Sequence, residues 1–242
     1  MPSTISATHI GVNAAIFNVT NGPGEVDLLV TGDIKDVFGT GGFTKGGDGV
    51  MVLDNAEAST MTGPTIVQDG TLLVNGPIAA SPFTVNDAIL GGDGGTLGST
   101  TITSDGTLAP GSLEAGSIGT LEFTGTLTLE GTALFELNKT ASLLNADLVD
   151  ATGLITFGGD LTVAATGIAL AEGDIFDIFN SDAGFAGSFA NLNLPSLDTG
   201  LSWDTNSLNT DGTLKVVPEP SAAIALLSGV GMLLGMRRRR SR

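Results

Sequence analysis

The chain has 242 residues, with 36 Gly, no Cys and one His, and its formal net charge is −17. Every Arg lies within 237–242, so residues 1–217, with four Lys and 25 acidic residues, carry −21. A body of this charge disfavours nucleic acid as a partner, the absence of Cys excludes disulfides and thiolate sites, and a single His excludes a multi-histidine metal site within one chain. The 41% hydrophobic content and mean hydropathy of +0.32 still permit a buried core.

Residues 1–40 are predicted to form an N-terminal β segment. The opening MPSTISATHIGVNAAIFNVTNG has no basic n-region and no apolar h-region of the length that a secretory signal peptide requires. The chain opens already in strand-like sequence. We therefore expect this segment to be a truncated piece of a longer passenger region.

Residues 41–76 follow an ordered series of turn and strand signals. The segment reads GGFTKGGDGVMVLDNAEASTMTGPTIVQDGTLLVNG. It has a Gly-rich start, a Thr44-Lys45 step, a Gly-x-Gly turn, an apolar strand from Val50 to Leu53, a small polar bend and a closing GTLLVNG. This series resembles the autotransporter-associated β-strand repeat, although Met61 stands where that repeat carries an aromatic residue. The resemblance implies a right-handed parallel β-helix.

Residues 77–217 continue as a β-rich passenger region. The segments 121–124, 126–130 and 161–163 alternate apolar and polar residues, and this period of two is typical of strands. The tripeptide Gly-Thr-Leu recurs as a turn followed by the start of a strand, beginning at Gly70, Gly95, Gly106, Gly119, Gly125 and Gly212. Asp precedes Gly70, Gly106 and Gly212, and Asp-Gly predicts a tight turn with positive φ at Gly.

The predicted fold class is therefore all-β. Recurrent short strands with Gly corners favour a solenoid, in which each coil buries its inward side chains on its neighbours. A β-sandwich is the alternative, because hairpins use the same turns. Residues 141–149 could instead form one or two helical turns.

Residues 218–242 have three parts: Pro-Glu-Pro, an uncharged apolar run over 222–236, and an Arg cluster. Neither proline can donate to a sheet, so the strand pattern stops here. Fifteen helical residues span about 22 Å, which permits a thin or tilted membrane span when the arginines snorkel. The cluster Arg237, Arg238, Arg239 and Arg240 predicts that this end stays cytoplasmic and that the body lies outside.

In its order and spacing, the tail is similar to the PEP-CTERM sorting signal. Pro218, Glu219, Pro220 and Ser221 match the motif itself, and the apolar helix and Arg cluster follow it. The resemblance implies recognition by an exosortase, a membrane-embedded protease or transpeptidase, with cleavage near Pro-Glu-Pro. It also implies delivery from the inner membrane to the envelope, surface or exterior of a Gram-negative cell.

Motifs for catalysis or metal binding are weak in this sequence. Asn209-Thr210-Asp211-Gly212 matches part of a polygalacturonase motif, but the Asp pair, Gly-His-Gly and Arg-Ile-Lys that accompany it do not occur. The loops around Asp48 and Asp93 lack the tandem copies that a calcium-binding roll requires. Asp174 and Asp177 lie in an apolar context that favours a core strand. We predict no catalytic residue, no metal site and no cofactor.

Taken together, these patterns predict a non-enzymatic, secreted or cell-surface β-helical protein with a structural or adhesive role. Exopolysaccharide is a further candidate partner, and nucleic acid is not expected. The alternative function is a polysaccharide-active β-helix lyase or hydrolase. That alternative requires a concave patch of clustered carboxylates, which the sequence alone does not place.

Overall fold

The structure, a computed structural model, describes residues 1–37 and 39–219. Short strands separated by tight corners follow one another along the chain. Those of the first half are β1 (Ser3–Ile5), β2 (His9–Val12), β3 (Ala15–Asn18), β4 (Leu28–Val30), β5 (Asp33–Asp36), β6 (Phe43–Gly46), β7 (Val50–Leu53), β8 (Thr65–Val67), β9 (Thr71–Val74), β10 (Pro77–Ile78), β11 (Phe83–Val85), β12 (Ile89–Gly92), β13 (Gly95–Leu97) and β14 (Thr100–Ile102).

The second half continues the pattern and ends with a short helix and a last strand. Its elements are β15 (Thr107–Pro110), β16 (Thr120–Phe123), β17 (Leu127–Leu129), β18 (Thr132–Lys139), β19 (Leu144–Ala146), β20 (Leu148–Ala151), β21 (Ile155–Phe157), β22 (Asp160–Gly167), β23 (Ile175–Asp177), β24 (Phe179–Ser181), β25 (Phe185–Gly187), β26 (Asn191–Asn193), β27 (Leu201–Asp204), α1 (Leu208–Asp211) and β28 (Thr213–Pro218).

The strands stack in parallel into sheets that run through successive coils. A ten-stranded sheet, called the long sheet below, has the order β1-β4-β7-β9-β12-β15-β18-β22-β26, with β19 paired to β18. An eight-stranded sheet runs from β3 to β25, and a five-stranded sheet has the order β10-β13-β16-β20-β24. In the first two coils, β2 and β5 form a two-stranded sheet between the long and the eight-stranded sheets. Because the strands of these sheets pair in parallel with their counterparts in the next coil, with β19 as the antiparallel exception, the fold is a β-solenoid rather than a sandwich.

The core lies inside the solenoid and is built of columns of aligned side chains. Register aligns Met51, Leu72, Leu90 and Leu108 in the long sheet, and all four are fully buried. The apolar member of each Gly-Thr-Leu tripeptide points inward, so the recurrence of this tripeptide supplies the core. The strands predicted around residues 121–124, 126–130 and 161–163 are confirmed as β16, β17 and part of β22.

Coil length varies while register is preserved. Hydrogen bonds between equivalent positions of successive coils show the coil length. One coil spans 18 residues, from Asn75 to Asp93, and a later coil spans 31, from Asp160 to Asn191. The additional residues of this later coil lie in the long strand β22, in the loop that follows it and in β23. This variation explains why the sequence shows turn-then-strand recurrence without a fixed repeat length.

Two local predictions are wrong. Residues 141–149 do not form a helix, because Leu144–Ala146 pairs antiparallel with the extended end of β18. Positive φ is present at Gly70 (64°) and Gly212 (70°) but not at Gly106. Glycine is instead required at Gly106 by packing, because a Cβ there would lie 2.6 Å from the carbonyl oxygen of Val85 in the preceding coil.

An antiparallel three-stranded sheet, called the terminal sheet, covers the last coils. It has the order β23-β28-β27. Trp203 on β27 is half-buried, packs against the core and donates from its indole nitrogen to the carbonyl oxygen of Pro195 at 2.8 Å. Trp203 therefore joins the terminal sheet to the core of the solenoid.

Candidate functional sites

The sorting motif begins where the terminal sheet ends. Pro218 is the last residue of β28, and the backbone N–H of Glu219 donates to the carbonyl oxygen of Gly200 at 2.9 Å. Pro218 and Glu219 are both exposed. The predicted motif residues Pro220 and Ser221, the apolar run 222–236 and the cluster Arg237–Arg240 lie outside the described residues.

Over residues 1–37 and 39–219, the structure contains no helix that is long and apolar enough to span a membrane. The predicted transmembrane segment is not among these residues.

Two of the weak sequence motifs have structural roles. Asn209-Thr210-Asp211 lies in α1, and Gly212 turns the chain into β28. Asp174 accepts from the ammonium of Lys139 at 2.6 Å and from the backbone N–H of Ala171 at 2.7 Å. Its carboxylate therefore joins the end of β18 in the long sheet to the start of the terminal sheet.

The Gly/Asp loops tie neighbouring coils together. Asp48 accepts from the backbone N–H of Asn21, and Asp93 accepts from that of Thr120, each at 3.0 Å. In the part of the chain that the structure describes, no three His, Cys, Asp or Glu side chains converge as a metal-ligand group would.

His9 lies on the surface of the first two coils, where its imidazole contacts the carboxylate of Asp33. Its Nδ1 lies 3.3 Å from Asp33, and its Nε2 lies 3.5 Å from the ammonium of Lys35. A Ser–His–Asp arrangement requires a hydroxyl at the second ring nitrogen. Among the described residues, Lys35 and not a serine occupies that position.

A polar row runs along the outer face of the five-stranded sheet. Register aligns Thr96, Glu122, Asp150 and Asn180 across four coils. Thr96 donates to Glu122 at 3.1 Å, and Asn180 donates to Asp150 at 2.9 Å. These side chains line a shallow groove of about 280 Å³. The arrangement presents two carboxylates on adjacent strands to solvent.

A buried carboxyl lies at the corner between the β18–β19 hairpin and β20. Asp147 is fully buried, and its two oxygens accept the backbone N–H groups of Gly119 at 2.8 Å and Glu136 at 2.7 Å. Burial raises the pKa of Asp147 to about 7, and the Glu136 and Asp93 carboxylates add to this increase, whereas the two N–H bonds oppose it. The folded protein therefore binds a proton at Asp147 in a range where an exposed Asp is ionised.

This corner opens onto a groove on the outer face of the long sheet, called the acidic groove below. Its volume is about 200 Å³, and Asp147 and Glu136 line one end of it. The rest of the lining is mostly apolar and includes Ile89, Leu113 and Leu134, which are exposed by 40%, 44% and 38%. Its polar members are Thr71, Ser112 and Glu114. The loop 112–115 forms one side, held by a 2.8 Å hydrogen bond from the backbone N–H of Gly116 to Oε1 of Glu136.

Comparison with known proteins gives a limited result. No family model matches the chain. An extracellular serine protease of Serratia marcescens is 36% identical over 87 residues, which are 36% of this chain and 8% of that protease. The chain thus spans a small fraction of the length of this relative.

Sequence reasoning missed the buried groups. Asp147 stands in ASLLNADLVD, where the pattern suggested helical turns, and nothing local marks its burial. Lys45 belongs to the Thr-Lys step, and nothing in that step predicts that its side chain is fully buried. A Lys followed by Gly-Gly-Asp-Gly is the one local signal, because the glycine-rich turn leaves carbonyl oxygens free to accept from the ammonium.

Proposed function

We propose that this chain is a non-enzymatic, secreted or cell-surface β-helical protein whose body acts as a stiff acidic rod. The observation that carries the proposal is the continuous stack of parallel strands, in which each coil rests on the next and the core runs the length of the solenoid. Such a body resists bending and offers long faces for contact. The partial similarity to an extracellular protease supports an extracellular location.

The rod is proposed to wind in the right-handed sense. A crossover connection between parallel strands of one sheet is right-handed in nearly all proteins, because twisted strands pack back onto the sheet in that way. The resemblance of residues 41–76 to the autotransporter-associated repeat supports the same hand.

The tail is proposed to sort this rod to the cell surface. An exosortase would recognise Pro218, Glu219, Pro220 and Ser221 while residues 222–236 span the inner membrane and Arg237–Arg240 remain cytoplasmic. Exposure of Pro218 and Glu219 at the end of β28 supports this proposal, because a membrane enzyme could reach the motif without unfolding the solenoid.

A non-enzymatic role is supported by the way the candidate catalytic groups are used. Asp174 binds Lys139, and His9 faces Lys35 and Asp33. We therefore assign these side chains to coil-to-coil contacts.

Cell fractionation tests the proposal. The full chain would be expressed behind a secretory signal peptide in a Gram-negative host with an exosortase, beside a variant lacking residues 218–242. We expect the full chain in the envelope and the shortened chain free of membranes. A Glu219→Gln variant should block sorting, whereas Glu172→Gln, which removes the same charge from an exposed site, should not. Intact full chain in the cytoplasm would overturn the localisation.

The second candidate function is action on a polysaccharide, and the polar row on the five-stranded sheet favours it. Adjacent strands lie about 4.8 Å apart, so Glu122 and Asp150 are at a separation compatible with paired carboxylates of glycosidases. Exopolysaccharide could alternatively bind there without being cleaved. Reducing-end release from uronate polymers, measured for the wild type and for Glu122→Gln with and without calcium, separates cleavage from binding.

A further inference from the structure

We propose that the acidic groove is a binding site for a small primary ammonium ligand with an aliphatic stem. The walls and the end of this groove differ in chemistry. Ile89 and Leu134 from the long sheet and Leu113 from the 112–115 loop form the walls, and Glu136 lies at the end. A ligand that satisfies both parts has a hydrocarbon segment and one cationic head.

The carboxylates at the end of the groove have no cationic partner among the described residues. The ion pairs among the described residues join His9 to Asp33 and Lys139 to Asp174. None of these four residues lines the groove. Glu136 uses Oε1 for the Gly116 N–H, which leaves Oε2 available to an ammonium group. Ionisation of Asp147 beside Glu136 is unfavourable without a cation, so an ammonium ligand would supply the missing positive charge.

The size of the groove limits the ligand. A volume of about 200 Å³ corresponds to about seven non-hydrogen atoms at the density of a liquid, in which one water occupies about 30 Å³. A hexylammonium ion or a lysine side chain has this size.

Ligand binding should be linked to the protonation of Asp147, which lies behind Glu136. The titratable groups that face this corner are carboxylic: Glu136 on β18, Asp93 before β13 and Glu114 in the loop. An ammonium near Asp147 favours its ionised form, and the ionised form in turn favours the ammonium. Because Asp147 titrates near pH 7, affinity should rise about five- to tenfold from pH 6 to pH 8, a range in which an alkylammonium stays charged.

Nuclear magnetic resonance titration of the full chain, held in phosphatidylcholine nanodiscs, tests the site. The probe is hexylammonium, and the readouts are the backbone amides of Gly116 and Gly119, which bond Glu136 and Asp147. We expect saturable shifts at both amides with a dissociation constant of about 1 mM or tighter, consistent with the small number of ligand atoms. Hexanol, which has the same stem without the charge, should bind at least about tenfold more weakly.

Variants distinguish a site from diffuse attraction to an acidic surface. Glu136→Gln keeps an acceptor for the Gly116 N–H and should weaken hexylammonium binding about tenfold, whereas Glu122→Gln on the five-stranded sheet should leave it unchanged. The pH comparison needs no variant and stands even if Glu136→Gln disturbs the loop. Equal binding of hexanol, equal losses in both variants, or an affinity independent of pH would each overturn the proposal.

Discussion

The ammonium group of Lys45 donates a 2.7 Å hydrogen bond to the backbone carbonyl oxygen of Asp69, at the turn into the next coil. The same ammonium donates to the carbonyl oxygens of Gly47 at 2.5 Å and Gly49 at 2.6 Å. Burial lowers the pKa of Lys45, and the Asp69, Asp48 and Asp27 carboxylates oppose this effect. A buried charge with three acceptors thus connects one corner of the solenoid to the next.

Replacement of Lys45 by Met should destabilise the fold by about 2–4 kcal/mol, because three carbonyl oxygens lose their donor while the apolar stem is kept. Urea denaturation followed by circular dichroism measures the change. Lys215→Met at an exposed position of β28 is the matched control, and it should change the free energy of unfolding by less than about 0.5 kcal/mol. Equal effects of the two substitutions would contradict the structural role of Lys45.

Stability should depend on pH through Asp147. The folded pKa of about 7 lies above the unfolded value of 3.8, so the folded state holds the proton more tightly. The stabilising contribution of this proton is complete below about pH 4 and is lost as pH rises through about 7. Its size is about 4 kcal/mol, because the pKa rises from 3.8 to about 7.

This linkage is measured as the difference between wild type and Asp147→Asn in urea denaturation at pH 4, 5.5, 7 and 8.5. Wild type should lose stability relative to the variant across this range, although the variant carries a constant penalty because its amide nitrogen cannot accept an N–H. Asp150→Asn at the nearby surface should retain the wild-type slope. A wild-type-minus-variant difference that does not change with pH is incompatible with a raised pKa at Asp147.

Two glycines with positive φ should respond differently to alanine. Gly212 (φ 70°) lies against the carbonyl oxygen of Phe179, which an added Cβ would overlap, whereas Gly94 (φ 78°) has open space around it. Gly94→Ala should therefore cost about 1–2 kcal/mol from backbone strain alone. Gly212→Ala should cost more and should loosen the terminal sheet, which amide hydrogen exchange of β28 reports. The reverse order of the two costs would argue against the close packing of the Gly212 turn on Phe179 of β24.

A core leucine and a surface leucine of the long sheet give a test of register. Leu72 is fully buried in the column with Leu90, and Leu134 is exposed by 38% on the outer face of the long sheet. Leu72→Ala should destabilise by about 3 kcal/mol, because the cavity cannot collapse between stacked coils, and Leu134→Ala by about 1 kcal/mol or less. If the register of β9 and β18 were shifted by one residue, Leu72 would face outward and Leu134 inward, and the two results would be exchanged.

Local sequence signals predicted the strands well but not the buried polar groups. Gly-Thr-Leu marked strand starts because a turn and a strand are both local features, and Leu72 and Leu108 are buried in consequence. The environment of Lys45 depends on a carbonyl 24 residues later, and that of Asp147 on an N–H 28 residues earlier. Such contacts follow from coil stacking, and coil length varies too much for the sequence to set them.

The Asp-Gly turns show the same limit on a smaller scale. Asp69-Gly70 and Asp211-Gly212 adopt the positive φ that the dipeptide predicts, while Gly106 does not. A Cβ added at Gly106 would lie 2.6 Å from the carbonyl oxygen of Val85 and 2.8 Å from that of Asn86, so close packing between coils accounts for the residue. One dipeptide therefore serves two physical requirements that the sequence does not distinguish.

We propose that the acidic solenoid is sorted to the cell surface through its tail. Intact-mass spectrometry of the protein recovered from the surface of an exosortase-containing host tests it most directly. We predict a mature C-terminus at or near Pro218–Ser221, without Arg237–Arg240. Recovery of the chain ending at Arg242 with no membrane or surface association would contradict the account.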